Sequence, residues 1–186
     1  MERLDLKGVY PLPGQSSKDH KKFMAAWGKM NLGHVHGFPL WEKEVFSEFQ
    51  KSFEQLSGIF SHYAKSGGAG SGSATSVEMM QQTELVNLAL DVGIPTEAFP
   101  MNRVQGIFAR ADQDDNDGVG KAGDRALEMH EFLEAIVMLA FARANPRVGE
   151  VGTSGQQVSE PLPGCLLSLL HKTVLRKARA PHRPLV

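Results

Sequence analysis

From Leu40 onward the chain sets large apolar side chains three or four positions apart: Trp41, Val45, Phe49, Phe53, Leu56, Phe60 and Tyr63. A helix turns once every 3.6 residues, so this spacing lays all seven along one stripe and predicts a helix of roughly 24 residues, about 36 Å long. The run stops at KSGGAGSGSAT, where Gly and Ser cost backbone entropy and offer nothing to bury. Leu85, Leu88, Ala89 and Val92 predict a second helix over 77–92, with Gly93 as its C-terminal cap. Val104, Ile107 and Phe108 predict a third, capped by Thr96 and reaching Ala111. After the acidic stretch DQDDNDGVGKAGDRA, residues 127–144 are apolar nearly all round (Phe132, Leu133, Ile136, Val137, Leu139, Phe141), which marks a helix at the centre of the core. Asn145-Pro146 ends it.

The flanks differ from this middle. Residues 1–39 mix Pro, Gly, Ser, His and Lys without a sustained period and read as an extended basic arm, with a short helix at 18–30 that puts Phe23, Ala26 and Trp27 on one face. Residues 147–164 read as a Gly/Ser/Pro linker. Residues 165–178 form a last amphipathic helix, Leu166, Leu167, Leu169, Leu170, Val174 and Leu175 set against Lys172, Arg176, Lys177 and Arg179, before Pro181 stops it. The fold class expected is all-α.

Composition adds limits. With 186 residues and 41% hydrophobic content the chain is long enough for one ordinary domain with tails or two very small ones. Its formal net charge is −1, which gives a general nucleic-acid-binding role no electrostatic support. The charge is uneven: residues 1–40 carry +3, 41–111 carry −3, 112–160 carry −6 and 161–186 carry +5. Basic ends therefore flank an acidic middle onto which they can fold. The single cysteine, Cys165, makes no internal disulfide, and no stretch has the continuous apolar length of a membrane span or a signal peptide. A cytoplasmic setting without membrane contact is the expectation.

The two halves repeat. Ser57-Gly58-Ile59-Phe60 lines up with Gln105-Gly106-Ile107-Phe108 at an offset of 48, and Thr83-Glu84-Leu85 with His130-Glu131-Phe132 at an offset of 47. Each unit has an aromatic near the end of an entering helix, a Gly-rich loop, an apolar residue (Met80, Leu127) four places before a glutamate, and an exiting helix. Over about residues 41–145 this resembles a pair of EF-hands. The resemblance implies that the loop-ending glutamate gives calcium a bidentate carboxylate, and that the apolar residue four places earlier joins a small strand pair between the loops. Residues 40–146 are then a paired EF-hand-like domain. More narrowly, WEKEVF, EFLEAIVMLAF, RANP and LPGCLLSLLHKTVLRKA resemble EF-hand-related proteins of algal and protist flagella, which implies an axonemal, microtubule-associated setting with tubulin or axonemal proteins as partners.

Both loops depart from the motif. Between Lys65 and Met80 the only acidic residue is Glu78, with no Asp or Asn, too few oxygens for an ion that takes six to eight. Counting from Asp112, Asp114 and Asn116 occupy the third and fifth places, but Asp117 stands at the sixth, Gly118 comes one place late and Gly123 holds the twelfth. The matching Glu131 is the twentieth residue, so about eight residues must bulge out for the ends to close on one ion. The stretch reads first as a solvated acidic turn. The alternative is one calcium held by Asp112, Asp114, Asn116 and Glu131.

Other candidates carry less. His34 and His36 place two imidazoles on one face without a third ligand nearby, and His130 reads as a surface residue rather than a ligand. No nucleophile elbow, phosphate loop or zinc spacing is present, so a non-enzymatic role is expected; a third reading makes Cys165 a nucleophile activated by His171 or Lys172. Basic amphipathic helices are ligands of acid-rimmed EF-hand grooves. Here such a helix is tethered to the pair, so Leu166, Leu170 and Val174 are expected to fill the groove of their own chain. The competing reading presents that helix to a partner or an acidic surface such as a microtubule wall.

Overall fold

A computed structural model describes residues 4–66, 78–112, 126–148 and 158–179. Helices account for most of it: α1 (Ser17–Lys29), α2 (Glu42–Ser66), α3 (Gln82–Val92), α4 (Met101–Ala111), α5 (Met129–Ala144), and a C-terminal segment made of α6 (Gly164–Leu169), a π-helical stretch (Leu170–Val174) and α7 (Leu175–Lys177). Two short strands, β1 (Met80–Gln81) and β2 (Ala126–Leu127), pair antiparallel, with Met80 opposite Leu127 and Gln81 opposite Ala126. The all-α expectation holds at the level of class. No described helix is long and apolar enough to cross a membrane.

Helix α2 runs 25 residues, and its whole predicted stripe from Val45 to Tyr63 is buried. Phe49, Phe53 and Leu56 are at the bottom of the core, and Phe60 meets Phe132 of α5 at a ring-centroid distance of 5.3 Å. Helix α5 is the centre. Ten consecutive residues, from Glu131 to Ala140, are buried, because α1, α2, α4 and α6 all pack against it. A helix enclosed on every side needs apolar residues on every side, which is why its sequence lacks a polar stripe.

Where the predicted elements shift, the cause is local. The helix predicted second, over 77–92, begins at Gln82, and the one predicted over 127–144 begins at Met129, since the residues just before them pair as β1 and β2. The third begins at Met101, not Thr96: the Thr96 hydroxyl accepts the Phe99 N–H at 3.0 Å, and the two backbones bond reciprocally to close a turn. Pro100 then stands at the helix N-cap, and the residue before a proline is disfavoured in the α region. Gly93 does cap α3, at φ +77 in the left-handed region.

The N-terminal stretch is not a detached arm. Phe23, Ala26 and Trp27 of α1 are buried, followed by Met30, Leu32 and Val35 from the turns after it. Phe23 and Trp27 lie 5.2 and 5.1 Å from Phe46 of α2, ring to ring. Buried carboxylates hold the backbone in place: Glu134 of α5 accepts the Asn31 N–H at 2.6 Å, and Glu42 accepts the Leu4 N–H at 2.7 Å. Hydrogen bonds to a charged acceptor are the stronger kind, about 1.5–3 kcal/mol each. Gly37, at φ +85, lets the chain turn beneath Trp41, whose indole N–H reaches the His36 carbonyl; a Cβ there would lie 3.0 Å from that indole nitrogen.

Candidate functional site

Two features converge on the strand pair. Glu84 and Glu131 each follow the paired residue, Met80 or Leu127, by four positions and each occupies the third place of the exiting helix. Their surroundings differ. Glu131 accepts the Glu128 N–H at 2.9 Å while the Glu128 side chain accepts the Glu131 N–H, a reciprocal capping box that satisfies two of the donors a helix start leaves open. Glu84 accepts the backbone N–H of Gln81, but Gln81 gives no side-chain cap in return. The Glu84 carboxyl is 2% exposed, and its Oε2 has no hydrogen-bond partner among the described residues. Burial pushes its pKa up, and the Gln81 bond pulls the other way.

Of the four predicted calcium ligands, Asp112 and Glu131 belong to the described residues, while Asp114 and Asn116 lie outside them. Asp112 is the C-terminal cap of α4 and is buried. Glu131 has different company from that expected: ligand atoms of Glu128, His130 and Glu131 all lie within 4.8 Å of one another. His130 is partly buried. Its side chain is 17% exposed, and its Nδ1 faces Glu128 Oε2 at 3.8 Å. Two carboxylates and an imidazole fall well short of the six to eight oxygens calcium takes; an imidazole suits a transition metal better. Glu128 was not readable from the sequence as a cap, because a capping box normally opens on Ser, Thr, Asp or Asn; only the Glu131 half of the pattern was there to see.

The other predicted candidates are occupied by packing. His34 Nε2 lies 3.3 Å from the Met138 sulfur, and the His36 ring stacks on Phe141 at 5.6 Å, so both imidazoles lean on α5. Cys165 is buried, and that burial raises its thiol pKa to about 11, the opposite of the activation that His171 or Lys172 would have to supply.

The C-terminal segment lies across both exiting helices. Its α6 packs on α5 and its α7 on α3, with Leu166, Leu170 and Val174 wholly buried, joined by Cys165, Leu169 and Thr173. Three sets of polar contacts fix it. At its entry the Asn145 side-chain amide donates to the carbonyls of Phe141 and Glu160 and accepts from the N–H groups of Ser159 and Glu160, all at 2.8–2.9 Å. In the middle, His171 Nε2 meets Oε1 of buried Glu48 on α2, which also accepts the Ser52 hydroxyl. At its end the Tyr63 hydroxyl donates to Asp91 at 2.6 Å and accepts the Arg179 N–H at 3.1 Å, while the Arg179 guanidinium approaches Asp91 at 3.6 Å. Burial, and then the bond to Asp91, push the Tyr63 pKa up to about 12. Sequence reading missed Asn145, taken only as a helix terminator, and the partners of Tyr63, 28 and 116 residues away. No protein-family model, curated protein or solved structure matches the chain.

Proposed function

We propose that this chain is a non-enzymatic protein-binding adaptor, built on a degenerate pair of EF-hand-like units and closed by its own C-terminal segment. The observation that carries the reading is the Met80–Leu127 strand pair, which joins two helix–loop–helix units at the positions the repeat singles out. Burial of Leu166, Leu170 and Val174 between the exiting helices supports the closed groove. A first loop without Asp or Asn supports the loss of calcium there. Buried Cys165, with its raised pKa, supports binding over nucleophilic chemistry. The flagellar resemblance nominates axonemal, microtubule-associated proteins as partners.

A second reading, a calcium sensor working through the second loop, is favoured by one observation: Glu131 stands four residues past the paired Leu127, beside the carboxylate of Glu128. Calorimetric titration of the purified chain with calcium separates the two, with magnesium as competitor and Asp112→Ala/Asp114→Ala as control. The adaptor reading expects no saturable heat up to millimolar calcium. One-site binding at micromolar calcium that the control abolishes would overturn it in favour of the sensor.

A further inference from the structure

With Leu166, Leu169, Leu170 and Val174 facing the core, the C-terminal segment has one side left. Away from the core the segment exposes Lys172 and Arg176, four residues apart, and Lys177 beside them, and none of the three is ion-paired to a carboxylate among the described residues. Two acidic side chains on the helices beneath are already engaged, Glu48 by His171 and Asp91 by Tyr63 and Arg179. Over residues 161–186 the chain has five basic residues and no acidic one. We infer that the outer face of this segment is a docking strip for a short, unstructured acidic peptide.

Three features select that partner class. A membrane surface takes up a basic helix through its apolar face, and here that face is spent on the core. A rigid nucleic-acid duplex overruns so small a strip: Lys172 and Lys177 are five residues apart, under about 8 Å along the axis, since the α-helical rise of 1.5 Å is an upper bound for a stretch that is π-helical to Val174. Beyond the strip a duplex would meet a body whose net charge, without these three cations, is −4 rather than −1. A flexible peptide needs only two or three extended residues, at about 3.3 Å each, to cover the same length, and it can avoid the acidic remainder. The inference deepens the adaptor reading and rests on it in taking binding as the chain's work.

The test is fluorescence anisotropy of a labelled oligoglutamate peptide titrated with the full chain at low ionic strength. Saturable binding is expected, weakening as salt is raised toward 0.15 M, where the Debye length is about 8 Å. Lys172→Glu/Arg176→Glu/Lys177→Glu is expected to weaken it about tenfold or more, with the thermal midpoint kept because all three side chains are exposed. Should that variant fail to fold, Lys172→Gln/Lys177→Gln is expected to weaken binding about threefold. Equal affinity of parent and folded variant would overturn the proposal. So would tighter retention of duplex DNA, or of phosphatidylserine vesicles, than of the peptide at matched charge. Calcium binding would remove the adaptor reading without altering the peptide's dependence on these cations, so the two failures are distinguishable.

Discussion

The two helices that follow the paired strands, α3 in the first half and α5 in the second, hold their ends by different means. In the second, the exiting helix α5 starts on a satisfied capping box, is enclosed on all sides, and ends on Asn145, whose amide gathers the incoming chain. In the first, the exiting helix α3 starts on an uncapped Gln81 above a buried glutamate with an unmatched oxygen. It gains its hold on the C-terminal segment through the Tyr63, Asp91 and Arg179 contacts. Arg143 of α5 ties the units together by donating to the carbonyls of Ile94 and Gly93 at the end of α3. The difference teaches that a glutamate at the third helical place can take the N-cap N–H in both halves while only the second half completes the reciprocal cap.

Breaking the link between the units gives the largest effect. Met80→Ala and Leu127→Ala each empty a wholly buried site, and each is expected to cost about 2–5 kcal/mol in chemical denaturation. Because the two residues face each other across the ladder, the double variant should cost less than the summed singles. Strict additivity would mean that the units are not coupled there.

Next in size is the polar hold on the first unit. Tyr63→Phe removes one donor and one acceptor, and is expected to cost about 1–2 kcal/mol at neutral pH. Tyr63 has a folded pKa of about 12, raised above 10.0. Its contribution is therefore full below pH 10 and lost as pH rises toward 12, because only there does the unfolded chain lose the proton the folded chain keeps. The parent should lose stability over that window more steeply than Tyr63→Phe; parallel alkaline melting curves would refute this account.

The smallest effect has the opposite sign. Glu84→Gln keeps an acceptor for the Gln81 N–H but removes a charge from a buried site, and is expected to stabilise the chain by about 1 kcal/mol at pH 7. A carboxyl with a raised folded pKa favours folding while protonated and loses that advantage as pH rises through the folded pKa. The gain from Glu84→Gln should therefore shrink when melting is repeated at pH values approaching the ordinary carboxyl range. A loss of stability at pH 7 would mean that Glu84 has a partner which stabilises its charge.

The sequence made α2 and α5 legible because each shows itself locally, as a stripe or an all-round apolar run, whereas the strand partners Met80 and Leu127 were reached only through the resemblance that the repeat carries. Thr96 misled because its hydroxyl does accept the Phe99 N–H, as an N-cap's would, but the chain does not continue as helix there, and Phe99-Pro100 held the readable signal. The N-terminal stretch was illegible for a different reason. Met30, Leu32 and Val35 follow no period because they line turns, and what holds them is on α5, about a hundred residues on. The candidate site divides the same way. Leu166, Leu170 and Val174 follow from amphipathic spacing, whereas the approach of His130 to Glu128 depends on a cap geometry that spacing alone does not specify.

The bond from the Asn31 N–H to Glu134 spans 103 residues of chain. At a synthesis rate of about 5–20 residues per second, the acceptor emerges roughly 5–20 seconds after the donor. Through that interval Phe23 and Trp27 have Phe46 and Phe53 of α2 as the aromatic surface within reach. On the ribosome, α1 therefore has α2 as a packing partner before α5, the helix at the centre of the finished core, has been made.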